Sequence, residues 1–446
     1  MESNTAAVAA PVATQAHAEI NVRKLFVLSC LCLATTSFSF ILRGSIATDI
    51  KTELFDPIDQ AHSAAMLGSA LGWAFPGFAF MVLIGSAIVD YLGMRNLLLL
   101  CGANFIAGPL LVVSADKIAP GAGAGTVVAI GMFLNGLGWG CSETVINPLT
   151  TAIYPQDKTH RLNVLHAWWP GGIIIGGLLA VGASKINLGW RTEFGLLLVP
   201  AVVILALAAG TKFPKTERVA AGVSSGDMYK QVLAPGFLLF LGAMFLTSSS
   251  ELAPGQWVDK ALTRTVGMRG TLLLVYVAGL MFVMRHFAGT MVRRLSSVGL
   301  LWCSCLLAAI GLLFLSKANS PVTGILAATI WGTGVCYMWP TMLASVSERY
   351  PKSGAFGMGL IGSAGAAAIQ FVLPKMGAIF DTAKIKEAGS EAAYAALTGA
   401  AKDHVDAIAS TASFQFVAAL PAVLLLVFGA IWLNDRRKGG FQPEKI

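Results

Sequence analysis

Long apolar segments separated by short polar turns run through almost the whole chain. They lie at residues 25–47, 62–88, 96–114, 126–153, 162–183, 192–211, 235–257, 269–291, 297–316, 321–346, 354–380 and 410–433. About 20 mostly apolar residues cross the hydrocarbon core of a bilayer as an α-helix. The pattern therefore predicts an all-α membrane protein with twelve transmembrane helices.

A polar stretch divides these segments six and six, which predicts two helical halves joined by a linker. The predicted parts are a disordered tail at 1–24, a first half at 25–211, a linker at 212–234, a second half at 235–434 and a tail at 435–446. An Ala-rich polar insertion at 382–409 has the spacing of a surface amphipathic helix.

Composition narrows the function. Hydrophobic residues make up 56% of the chain and charged residues 12%, about half the charged fraction of a soluble protein. The net charge of +8 comes from basic residues scattered through turns, which excludes a nucleic-acid surface. The seven cysteines lie in apolar segments without metal-ligand spacing. No nucleotide-binding or catalytic motif is visible, so we expect no enzyme activity, no cofactor and no metal site.

Lysine and arginine are more frequent on the side of the bilayer that carries both chain ends, and are densest at Arg293–Arg294 and Arg436–Lys438. Basic residues favour the cytoplasmic side of a membrane. Both termini are therefore predicted to be cytoplasmic. The short loops are typical of a bacterial inner-membrane protein.

A carboxylate lies deep inside the fourth segment. Glu143 is far from both ends of 126–153, where an acidic side chain costs about 3 kcal/mol to insert. The next segment carries Asn163 and His166 three residues apart, followed by Trp169. The short turn between the two segments makes them antiparallel neighbours, so with Asn147 these side chains are predicted to line one polar site. A Glu that only fixes helix packing is the alternative.

The run SETVINP, the turn YPQDKTHRLN and the run HAWWPGG resemble the fucose, galactose and proton symporter branch of the Major Facilitator Superfamily. That resemblance implies the superfamily fold, sugar transport, and a role for Glu143 in sugar binding and proton coupling. Several relatives carry a second carboxylate in helix one. This chain differs from them, because residues 25–47 contain no acidic residue.

Between the second and third segments, Asp90, Gly93 and Arg95 match the D-x-x-G-x-R core of the superfamily's loop signature. A partial copy with Arg293 and Arg294 follows the eighth segment. We expect these residues to act on the equilibrium between conformers. Simple anchoring by positive charge is the other interpretation.

Four further residues are candidates for the substrate site. The outer end of helix seven carries Glu251 and Trp257 and resembles that of sugar-transporting relatives, which makes Glu251 a second candidate for proton coupling; an interfacial Glu and Trp belt is the alternative. Arg43 either faces the cavity or snorkels to the interface. Gln370 is an isolated amide in helix eleven. Arg285 is predicted to pair with Glu348 or to snorkel.

The leading hypothesis is a secondary transporter that moves a sugar or similar polar small molecule together with a cation, H⁺ rather than Na⁺, by alternating access. A carboxylate shielded from water binds a proton more readily, so Glu143 suits proton loading. The alternatives are an organic-anion or drug carrier of the same fold, favoured if Arg43 and Lys375 face the cavity, and a non-transporting receptor or scaffold.

Overall fold

The computed structural model describes residues 20–266, 270–444 and 446, and of these it leaves undescribed the side chains of 256–266, 270 and 271. Twelve helical segments form the body of the protein. They are α1 (Val22–Ser45), α2 (Ser63–Leu92), α3 (Met94–Val113), α4 (Gly123–Ile153), α5 (Lys158–Lys185), α6 (Trp190–Ala209), α7 (Pro235–Val266), α8 (Gly270–Arg285), α9 (Ala288–Leu315), α10 (Pro321–Arg349), α11 (Gly354–Ala388) and α12 (Gly399–Arg437).

Within the described residues, eleven helices are long and apolar enough to cross a membrane. The twelfth crossing is α8, whose apolar part Leu272–Arg285 is shorter. A helix satisfies every backbone N–H and C=O of a spanning segment internally, which lipid requires. The prediction of an all-α membrane protein with twelve transmembrane helices is confirmed.

Helices α1–α6 form one half and α7–α12 the other, and the linker between them carries two short helices, Glu217–Ala220 and Ser225–Val232. The linker and both ends of the described helical body lie at one end of the bundle, which we call the linker face. The opposite end, which carries residues 389–398 between α11 and α12, is the insertion face.

Four of the helices are interrupted, and the interruptions expose backbone carbonyls or reverse the chain. In α2 the helix breaks at Trp73, and in α10 it breaks at Cys336–Tyr337. In α6 a shorter break falls at Leu196–Leu197. In α9 the break is at Ser296, which has φ 64° and ψ 168°. The residues before Ser296 prolong the eighth crossing, and the ninth begins after it.

Small residues allow the closest helix contacts. A Cβ on Gly136 of α4 would lie 1.9 Å from the carbonyl oxygen of Ala74, and one on Gly311 of α9 would lie 2.3 Å from the backbone nitrogen of Trp331. Only glycine permits such close approaches. Helices in lipid associate through this packing, because no hydrophobic driving force acts between them.

The insertion differs from the predicted surface helix. Helix α11 continues through it to Ala388, and α12 already begins at Gly399, with one short helix, Glu391–Ala396, between them. Alanine is the strongest helix former, and nothing in the polar sequence breaks the two helices where the apolar pattern ends. The insertion therefore extends the membrane helices beyond the bundle.

The turns between α4 and α5 and between α10 and α11 are two copies of one structure. Each begins with a Tyr-Pro pair, and Tyr154 (φ −132°, ψ 61°) and Tyr350 (φ −132°, ψ 55°) have nearly the same backbone conformation. The two halves are thus related as a structural repeat, and positions counted back from the two tyrosines correspond.

Candidate functional site

A chain of polar contacts connects α4 and α5 inside the first half. The Asn147 amide donates to the Glu143 carboxylate over 2.9 Å, one helical turn apart on α4. The Asn147 side-chain oxygen lies 2.9 Å from Nε2 of His166 on α5. Asn147 and His166 are buried, whereas Glu143 keeps partial exposure. The structure therefore brings together three predicted site residues, of which Glu143 is half-buried.

Asn163 lies one turn closer to the linker face than His166. Its amide nitrogen donates to the hydroxyl of Thr341 on α10 over 3.2 Å, while its side-chain oxygen has no partner within the described residues. The side chain is fully buried. Asn163 thus lies in the contact between the halves, below the Glu143 cluster.

A buried ion pair lies in the second half. Arg285 on α8 pairs with Glu251 on α7 at 3.3 Å, and their side chains are only 2% and 10% exposed. Arg285 also donates to the carbonyl of Cys336 at the α10 break over 2.6 Å. The predicted pairing of Arg285 with Glu348, or snorkelling to the interface, was wrong. The broken helix offers a free carbonyl, and Glu251 a charge, at the same depth.

Arg285 also crosses to the other half. Its Nη1 donates to the main-chain carbonyl of His166 over 2.7 Å. The second oxygen of Glu251, Oε2, is buried without a hydrogen-bond partner in the part of the chain that the structure describes. Arg285 therefore connects the two polar clusters.

Trp339 lies between the two carboxylates. Its indole faces the carboxylate of Glu143, and its backbone N–H faces Glu251. The sequence analysis did not select this residue. The structural repeat identifies it as the counterpart of Glu143, because Trp339 precedes Tyr350 by the same number of residues as Glu143 precedes Tyr154.

Aromatic rings surround Arg43 on the insertion side of Glu143. Its guanidinium lies 5.2, 4.8 and 5.7 Å from the ring centres of Phe40, Phe75 and Trp139. Trp169 packs against Phe40 with ring centres 6.0 Å apart. Arg43 points into the first half rather than snorkelling to the interface, and Trp169 is half-buried beside it.

The remaining predicted site residues are less well connected. Gln370 is exposed on α11, on the same helix face as Gly359, whose Cβ position would touch Ser86 of α2. The side chain of Trp257 lies outside the described residues.

The loop signature contacts the linker. The Asp90 carboxylate accepts from Nε of Arg218 over 2.9 Å, and both side chains are almost buried. Arg95 donates to the backbone carbonyls of Ala208 and Ala209 at the end of α6. In the second copy, Arg293 and Arg294 are exposed. The acidic residue of the first copy thus holds the linker against the first half.

Contacts between the halves lie between the linker face and the middle of the bundle. Thr159 of α5 donates to Glu348 of α10 over 2.7 Å, and Ser297 of α9 donates to the same carboxylate over 3.0 Å. At mid-depth, Trp168 meets Phe282 edge to face with ring centres 5.7 Å apart. The structure is closed at the linker face, with the partly exposed Glu143 and Trp339 above the closure.

The profile of the Major Facilitator Superfamily matches residues 24–372. The chain belongs to this superfamily. It is an integral membrane protein. The superfamily fold that the sequence predicts is confirmed.

Solved structures agree on the fold. The chain is similar to the fucose:proton symporter of E. coli, with a TM-score of 0.65 and 16% identity over 89% of this chain and 98% of that one. It is also similar to an MFS proton:xylose symporter, with a TM-score of 0.70 and 14% identity over 92% of this chain and 95% of that one.

Among curated proteins, the chain is similar to Myo-inositol transporter 1 of Saccharomyces cerevisiae, with 26% identity over 162 residues, which are 36% of this chain and 25% of that protein. The chain spans about a quarter of the length of the first such relatives it matches.

Proposed function

We propose that this chain is a proton-coupled secondary transporter that moves a sugar or similar polar small molecule by alternating access. The observation that carries the proposal is the pair of intramembrane carboxylates, Glu143 and Glu251, which lie on opposite halves and are connected through Arg285 and Trp339. Ionisable groups inside a bundle mark transport pathways by default. Relatives whose names include inositol, hexose, fucose and xylose support the substrate class.

The substrate-binding role falls to Glu143. Glu143 is half-buried, Asn147 donates to its carboxylate and His166 contacts Asn147, so the second face of the carboxylate can accept hydrogen bonds from sugar hydroxyls. The half-buried indoles of Trp169 and Trp339 supply the flat apolar surfaces that a sugar ring requires.

The coupling role falls to both carboxylates. A proton on Glu251 weakens its attraction to Arg285, and the same arginine binds the His166 carbonyl on the opposite half. Proton binding in the second half thereby changes a contact that closes the linker face. We place the linker face in the cytoplasm, so the closed end here faces inward.

Uptake of labelled hexoses into proteoliposomes, with and without an imposed pH gradient, tests the proposal. We expect Glu143→Gln to retain substrate counterflow but lose uphill accumulation, because the amide still forms hydrogen bonds but carries no transferable proton. Accumulation at the wild-type level in this variant would remove Glu143 from coupling. Wild-type uptake that does not respond to the pH gradient would refute proton coupling. The same assay with an imposed sodium gradient tests for Na⁺ coupling.

A further inference from the structure

Arg43 is a half-buried cation without an acidic partner in the described part of the chain. Among residues 20–266 and 270–444, no Asp or Glu contacts it. By contrast, the fully buried Arg285 pairs with Glu251. A buried charge that lacks a counterion is costly, and proteins normally pair it or use it for a ligand.

One edge of the guanidinium forms no hydrogen bond with any described residue. Nη1 donates to the carbonyl of Leu71 over 3.1 Å, beside the break in α2. Nε is buried without an acceptor, and Nη2 forms no hydrogen bond with any described residue. Nε–H and Nη2–H lie on the same side of the planar group, and this pair binds the two oxygens of a carboxylate in parallel.

Three aromatic rings pack around the guanidinium. Phe40, Phe75 and Trp139 contribute cation–π contacts that hold the guanidinium in place without neutralising it. Glu193, which contacts the end of α1, is already bound to Ser45 over 2.5 Å. Trp139 lies one helical turn from Glu143, so a ligand at Arg43 extends toward the proposed sugar site.

We infer that Arg43 binds the carboxylate of the transported substrate, and that this substrate is an acidic sugar. The inference rests on the proposed function and adds the charge of the substrate to it. One positive charge with one free edge matches a monoanion such as a hexuronate, whose ring hydroxyls then reach Glu143 and its neighbours. Binding occurs from the insertion face, because the structure is closed at the other end.

Binding of matched sugars to the purified full chain tests the inference. Titrations followed by tryptophan fluorescence would compare D-glucuronate with D-glucose and D-galacturonate with D-galactose. Of the two hexuronates, we expect the one that binds more tightly to bind at least tenfold more tightly than the neutral hexose of the same configuration. Arg43→Gln should reduce that preference to within about threefold, and Arg43→Lys should leave an intermediate value, since it keeps the charge but loses the paired N–H groups.

The outcomes separate this inference from the proposed function. Wild-type protein that binds neutral hexoses as tightly as the acids, and accumulates them with protons, overturns the inference and leaves the proposed function in place. A preference that survives in Arg43→Gln also overturns it. Acid-selective binding without gradient-driven uptake supports the carboxylate site and refutes coupling. Failure of all four sugars to bind overturns the inference. The wild-type comparison does not depend on the folding of any variant.

Discussion

Replacing Arg285 with methionine should destabilise the fold strongly. The side chain is 2% exposed, pairs with Glu251 and donates to two backbone carbonyls, so Arg285→Met leaves a buried carboxylate without its counterion. Removing one partner of a buried pair costs about 3–5 kcal/mol. We expect a loss of this size in the free energy of unfolding, measured by circular dichroism in detergent micelles.

A second variant isolates the charge. Glu251→Gln combined with Arg285→Met removes both charges, so it should recover at least half of the lost free energy, because no unpaired ion stays buried. The exposed Arg294 provides the matched control, and Arg294→Met should change stability by no more than about 0.5 kcal/mol. A double variant as unstable as Arg285→Met alone would refute the ion pair as the source of the effect.

Three further predictions concern rate, binding and stability. Asp90→Asn should slow uptake while binding affinity stays near wild type, since Asp90 contacts the linker and not the pocket; a large loss of affinity with normal turnover would contradict this. Trp169→Ala should weaken sugar binding by about 1–3 kcal/mol, whereas Trp168→Ala, at the interface between the halves, should change transport rate more than binding. Ser296→Gly should raise stability by about 1 kcal/mol because its φ of 64° with extended ψ is strained for any side chain. Gly93→Ser, at φ 79° with open space around its Cβ position, should lower stability by a similar amount. If both variants were as stable as the wild type, backbone strain would be excluded as the cause.

The helices were predictable because bilayer thickness and the cost of unpaired backbone groups dictate the length of each apolar segment. The Glu143 and His166 cluster was also accessible, since a short turn makes consecutive helices antiparallel neighbours and helical spacing fixes their faces. These contacts are local, and local periodicity contains the information for them.

Contacts between distant segments were not predictable in the same way. Sequence does not show that Arg285 meets Glu251, or that Arg218 of the linker binds Asp90, because these pairs depend on how the two halves pack. Basic residues near helix ends look alike whether they anchor the chain to the membrane or pair inside it. Helix breaks mattered too, since the carbonyl that Arg285 binds becomes available only where α10 is interrupted.

The matching Tyr-Pro turns have an evolutionary consequence. If the halves descend from a duplicated ancestor, Glu143 and Trp339 descend from one ancestral position, and they now face each other. If both copies carried the carboxylate, two negative charges would face each other there. Each carboxylate would then hinder ionisation of the other. An indole N–H in the second copy removes that repulsion and donates toward the charge that stays. Divergence at this position therefore replaced two identical residues with a donor, Trp339, and an acceptor, Glu143. The two halves became chemically different at their centre.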